Sequence, residues 1–146
     1  MAIKGQIPIE FGTVFPDGAY AAGGIEMVRD FDRSTADRLV QQADKETGLP
    51  LWVVEVIDAQ EDARQRTVKV KVAAQVQPVL PPPSPGSPFT AVEFDGMTAT
   101  PYVDASRCSG DGKNKCAARQ AYSFKATGVR APSRGIGRPA EHKDAA

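Results

Sequence analysis

The stretch TVKVKVA at residues 67–73 alternates polar and apolar side chains over its first six residues. Successive side chains of an extended chain point to opposite faces, so three valines share one face and Thr67, Lys69 and Lys71 share the other. The stretch therefore predicts a half-buried strand whose outer face is basic.

Two further stretches predict strands of the same kind. LWVVEVID, at residues 51–58, is rich in β-branched side chains, and Trp52 shares a face with its alternate valines. AYSFKATGV, at residues 121–129, places Tyr122 and Phe124 on one face and Lys125 on the other. The three aromatic residues are expected in the core.

Weaker patterns predict strands at residues 7–15, 19–31 and 89–104, with a bulge or bend at Gly23-Gly24. Asp95-Gly96 is a strong signal for a two-residue hairpin turn. Residues 34–43 are the best helical candidate, with a long loop or an extra strand as open alternatives, and a short helix at 61–66 is a weaker one.

Many short strands with little helix favour a mainly β fold, a small antiparallel OB-like β-barrel. An open β-sandwich is the alternative. We expect one domain at residues 1–130, which includes a stiff proline-rich connector at 79–88. Residues 131–146 lose all periodicity and predict a disordered, basic and polar tail.

The 146-residue chain has a formal net charge of zero, but its charges are unevenly distributed. Residues 107–138 hold eight basic side chains against one acidic side chain, whereas residues 1–106 hold nine against fifteen. Such an asymmetry suggests a basic surface that faces a polyanion. A solubilising tail would give the same pattern.

Several classes of protein are disfavoured. The absence of a long apolar run excludes a membrane span, and the N-terminus lacks the apolar segment of a signal peptide, so we expect a cytoplasmic protein. The single histidine, His142, lies in the tail and leaves no histidine-based catalytic or metal site. We expect no enzyme activity, no cofactor and no metal.

Cys108 and Cys116 bracket a glycine-rich loop that carries Lys113 and Lys115. They suit a disulfide across a hairpin neck, or a metal site completed by a second copy, but two unpaired thiols are favoured for a reducing compartment. The two lysines would reach phosphates from the loop tip.

One combination of residues favours nucleic acid. Lys69, Lys71 and Lys125 share the polar faces of their strands, and Tyr102 shares parity with two threonines. Cations that follow the backbone beside an exposed aromatic ring are typical of single-stranded DNA binding. A solvated sheet face is the alternative. The candidate site is extended by four more residues, Lys113, Lys115, Arg119 and Arg130.

Four segments carry a family resemblance: IPIEFGTVFPDGAY (7–20), DKETGLPLWVVEVID (44–58), FTAVEFDGMTATPYVD (89–104) and AYSFKATGVRAP (121–132). They resemble the actinobacterial plasmid replication, integration and excision activators, small proteins of integrative plasmids and conjugative elements. The resemblance implies action on replication or recombination of a mobile element. The segment SRCSGDGKNKCAARQ (106–120) departs from the expected shorter hairpin, and no functional residue is carried over from the family.

The resulting hypothesis is a non-enzymatic accessory protein that binds DNA, with single-stranded DNA favoured, during replication, integration or excision. The alternative is an interaction adaptor or a transcriptional activator that works through an element-encoded replication or recombination protein. A duplex reader would need a β-ribbon, because no convincing recognition helix is present. An exposed edge strand also makes a homodimer plausible.

Overall fold

Two valine-rich strands form the centre of a curled sheet in the computed structural model, which describes residues 1–83, 85–108 and 117–133. Its elements in chain order are β1 (Ile7–Pro8), α1 (Phe11–Val14), β2 (Ala19–Met27), β3 (Leu51–Asp58), β4 (Thr67–Ala73), β5 (Thr90–Asp95), β6 (Thr98–Asp104), β7 (Arg119–Ala126) and β8 (Gly128–Arg130). The strands β3 and β4 have the bounds that the alternation predicts.

The strands form a mixed sheet that curls into a half-barrel, in the order β1-β6-β7-β4-β3-β2-β5-β8. This confirms a mainly β, barrel-like fold. The prediction of a purely antiparallel sheet is wrong in one place, because β4 and β7 pair in parallel at three positions from Val70↔Phe124 to Val72↔Ala126. Alternation predicts a strand but not the direction of its neighbour, which depends on the route of the intervening chain.

The predicted hairpin at Asp95-Gly96 is also wrong. β5 and β6 do not pair with each other. They form one long strand that continues through Gly96, in which β5 pairs with β8 and β6 pairs with β7. The pairs Asp95↔Gly128 and Thr98↔Lys125 belong to one continuous register. Gly96 has a φ of 58° and the Thr127 N–H donates to the Asp95 carbonyl at 2.8 Å, so the glycine bends a long strand. On the N-terminal side of the bend, β5 pairs with β2, and this pairing continues the curl of the sheet.

The core lies inside this curl. Val54, Val56, Val70 and Val72 have no exposed surface, and each buried valine stabilises the fold by about 2 kcal/mol. Trp52 packs against this cluster as expected, and its indole N–H donates to the Ala74 carbonyl at 3.0 Å. The alternation of β3 and β4 therefore identified the buried face correctly.

Several weaker predictions need correction. Residues 7–15 form the two-residue β1 and the one-turn α1 in place of one strand. Residues 34–43 form no helix, and the loop around them is tied by the isolated bridges Arg29↔Gln41 and Ala43↔Pro50. Residues 61–66 are a turn. The irregularity predicted at Gly23-Gly24 is present, as the β2–β3 register shifts between Ala21 and Ile25.

The structure describes the proline-rich connector except for residue 84, and the tail as far as residue 133. Described residues between β4 and β5 lie in no strand, as the proline-rich composition predicts. The tail beyond residue 133 lies outside the described residues. Among the described residues, no helix is long and apolar enough to cross a membrane.

Cys108 is disulfide-bonded, so the expectation of an unpaired thiol is wrong for this residue. Cys116, the only other cysteine of the sequence, lies outside the described residues. Because disulfides persist mainly in oxidising compartments, this bond counts against the expected cytoplasmic location.

Candidate nucleic-acid interface

The outer face of β4 and β7 carries the lysines that alternation assigns to it. Val70 and Phe124 are register partners on the core side, so the neighbouring pair Lys71↔Lys125 lies on the opposite face. Lys69 lies two residues before Lys71 on the same face. Adjacent strands are about 4.8 Å apart, so Lys71 and Lys125 would repel each other without a nearby acid.

Asp44 supplies that acid and neutralises Lys125. The Lys125 Nζ lies 2.8 Å from Asp44 Oδ1, and Asp44 is only 6% exposed. The Thr47 hydroxyl donates to the other Asp44 oxygen at 2.8 Å. Burial by itself raises the pKa of Asp44, but hydrogen bonds from Lys125 and Thr47 and the lysine charge outweigh it and lower this pKa.

This part-buried ion pair predicts a pH-dependent stability. Asp44→Asn is expected to lower the free energy of unfolding by about 2 kcal/mol at neutral pH, because Lys125 loses its charged partner. The folded-state pKa of Asp44 is depressed, so its contribution is present above the unfolded pKa of about 4 and is lost as pH falls through the folded value. Urea unfolding at several pH values measures the difference between variant and wild type.

Glu46→Gln is the matched control for this prediction. The Glu46 carboxylate lies 3.9 Å from the same Lys125 Nζ but is 64% exposed, so its removal should change stability by less than about 0.5 kcal/mol. A stability difference for Asp44→Asn that does not shrink below the pKa of Asp44 would contradict the assignment.

Arg119 and Arg130 are also engaged with carboxylates. The Arg130 Nε donates to Asp95 Oδ1 at 2.9 Å and its Nη2 donates to Glu93 at 3.1 Å. The Asp95 hydrogen bond is the main cause that raises the pKa of Arg130. Arg119 lies 3.5 Å from Asp104. Both guanidinium groups are partly exposed, but part of their charge is already balanced within the chain.

Lys69 and Lys71 differ from these three residues because neither makes an ion pair with a described residue. Their β3 register partners are Glu55 and Val53, respectively. Lys69 is exposed and Lys71 is half-buried. These two lysines are therefore the most available cations of the predicted face.

Tyr102 lies on the same outward side of the sheet. It is register partner to Ala121 on β7 and is 50% exposed. Tyr102 on β6 and Lys69 on β4 lie on the two strands that flank β7, so their Cα atoms are at least about 10 Å apart. Lys113 and Lys115 lie outside the described residues, so the structure does not place them relative to this face.

The sequence missed one exposed aromatic ring. Phe124 packs against the core as expected, but Tyr122 is 50% exposed, and the two rings stack with centroids 6.4 Å apart. They line a groove of about 250 Å³ between β4 and β7, together with Val68 and Arg119. Side-chain parity groups Tyr122 with Phe124 correctly. It does not show that the pairing of β7 with β4 begins only at Phe124, which leaves Tyr122 without a β4 neighbour.

A second cavity, of about 380 Å³, lies by β5 and is lined by three carboxylates, Glu10, Glu93 and Asp95, beside Arg130. Its acidic lining does not favour a phosphate. No group of three or more acidic, histidine or cysteine side chains within the described part of the chain is arranged to hold a metal.

Comparison with known proteins adds no assignment: no family model, no curated protein and no solved structure matches this chain. The candidate interface therefore depends on its own geometry.

Proposed function

We propose that this protein binds single-stranded DNA through the outer face of the sheet, as a non-enzymatic accessory protein. One observation carries the proposal: Lys69 and Lys71, without an ion pair to any described residue, share a face with the half-exposed Tyr102. Lysines there would contact phosphates while the ring stacks on a base.

The strand connectivity supports this proposal. β2, β3 and β4 form a meander, β4 pairs in parallel with β7, and the β5–β6 segment returns to β2. We take this connectivity to support an OB-like barrel, a class in which the second and third strands and the adjoining loops bind oligonucleotides. β3 and β4 would hold those two positions here, and Lys69 and Lys71 lie on β4.

The ion pairs limit how strong this binding should be. Lys125, Arg119 and Arg130 would have to leave carboxylates before they contact phosphates, so few full charges are available. A role in replication, integration or excision of a mobile element rests on the resemblance of the four quoted segments. That role would place the protein in the cytoplasm, a location that the Cys108 disulfide does not favour.

Fluorescence anisotropy with labelled DNA tests the proposal. We expect a single-stranded oligonucleotide of about 15 residues to bind more tightly than its duplex at about 50 mM salt. Phosphate contacts from Lys69 and Lys71 alone should make the logarithm of the binding constant fall with the logarithm of salt concentration at a slope of about −1.4, and each further contact should add about −0.7. No binding at low salt would contradict the proposal.

A protein-binding adaptor is the second candidate, and the β6–β7 ribbon favours it. Val103 is 70% exposed beside Tyr102, and β6 pairs with β1 only at Thr98 and Ala99. The rest of this edge of β6 pairs with no described strand, so a strand of another protein could add to it. Co-purification of an element-encoded protein free of nucleic acid would favour this candidate.

A further inference from the structure

The groove between β4 and β7 is a second surface that the predicted face did not include. The two strands pair only over Val70–Val72 and Phe124–Ala126, and their N-terminal halves leave an opening of about 250 Å³. Val68 lines one side and Tyr122 the other. Val68 and Tyr122 point to the inner face of the curl and Lys69 to the outer face, so the groove can meet the proposed DNA path only through the gap where β4 and β7 separate.

The floor and one wall of the groove are aromatic. Phe15 is almost fully buried beneath it, and Phe124 stacks against Tyr122 at an interplanar angle of 27°. The Gln120 side-chain amide donates to the Tyr122 hydroxyl at 3.2 Å. Tyr122 is therefore held by Phe124 on one side and by Gln120 at its tip, while half of its surface stays open.

The rim of the groove is basic and rich in amides. Arg64 and Arg119 lie there with Gln60 and Gln65, and the lining also includes one buried carboxylate, Asp58. Arg64 makes no ion pair with a described residue. Arg66 by contrast donates to the carbonyls of Asp58, Gln60 and Glu61 at 3.0–3.2 Å, and so fixes the loop that presents Arg64.

We propose that this groove takes one base of the bound single-stranded DNA, stacked on Tyr122, with Arg64 and Arg119 on the flanking phosphates. The inference rests on the proposed function. The volume suits one planar ring and is below the range of most small-molecule pockets. Amide side chains both donate and accept, as a base edge requires, and guanidinium groups suit phosphates.

Oligothymidylate and an abasic oligomer of equal length test the proposal with the full chain. The wild type should bind oligothymidylate about tenfold more tightly than the abasic oligomer, since stacking needs a base. Tyr122→Ala should reduce that difference to the part that Tyr102 supplies, whereas Tyr122→Phe should keep it in full. Phe31→Ala is the matched control, because Phe31 is 81% exposed and lies outside the groove.

A spectroscopic measurement on the wild type avoids any dependence on how the variant folds. An oligonucleotide with one 2-aminopurine should lose fluorescence on binding, because the base stacks on a tyrosine ring. The part of the loss that remains in Tyr102→Ala belongs to Tyr122. Equal affinity for the two oligomers, or no fluorescence change on binding, would overturn the base site and leave phosphate-only binding. If neither oligomer binds, the proposed function itself fails.

Discussion

Gly96→Ala is expected to destabilise the protein by about 3 kcal/mol and to lower the midpoint of thermal unfolding by about 10 °C. Gly96 has a φ of 58°, a region that side chains with a Cβ rarely adopt. A Cβ at this position would also lie 2.5 Å from the Thr127 hydroxyl oxygen and 3.0 Å from its methyl carbon. Both penalties act at the bend that joins β5 to β6.

Two controls separate backbone strain from the clash. Gly48 has a φ of 72°, and a Cβ added there would meet nothing within 4 Å, so Gly48→Ala should cost only about 1 kcal/mol, the strain alone. Combining Gly96→Ala with Thr127→Ala removes the clashing atoms and should recover about half of the loss. Equal destabilisation by the two single glycine variants would contradict the role of Thr127.

Lys69→Glu combined with Lys71→Glu is expected to weaken single-stranded DNA binding by at least about tenfold at low salt. The two lysines are the cations of the outer face without an ion pair to a described residue, so their reversal replaces attraction by repulsion. Anisotropy titrations of variant and wild type measure the change, and thermal unfolding checks that the sheet is intact.

Arg33→Glu combined with Arg38→Glu is the matched control for net charge. Both arginines are exposed and lie in the loop between β2 and β3, and the double reversal changes the net charge by the same amount. It should leave the affinity within about twofold, because screening weakens charges outside the binding path. If both double variants bind equally weakly, the effect is one of net charge and the outer face is not the site.

The ion pairs of the fold change the interpretation of the charge asymmetry in the sequence. Residues 107–138 are strongly basic, yet Arg119, Lys125 and Arg130 each lie within 3.5 Å of a carboxylate oxygen. Their partners Asp44 and Asp95 belong to the acidic N-terminal part. The two halves of the charge distribution therefore balance each other across the fold.

Short-range pattern was sufficient for much of the sheet. Alternation identified β3 and β4 and placed Lys69 and Lys71 outward, and the glycine pair Gly23-Gly24 located the β2 irregularity, because each depends on neighbouring residues along one strand. The same pattern failed at Asp95-Gly96. A two-residue turn and a bent strand share local chemistry there, and only the pairing of β7 and β8 distinguishes them.

The sequence by itself determined a mainly β protein, its two best strands and the side of the sheet that faces outward. Tertiary structure alone decided that β4 and β7 run parallel, that Asp44 reaches Lys125 from 81 residues away, and that Tyr122 stands open beside a groove. The physical reason is range: alternation is a property of one extended segment, whereas ion pairs and grooves depend on which distant segments the closing sheet brings together.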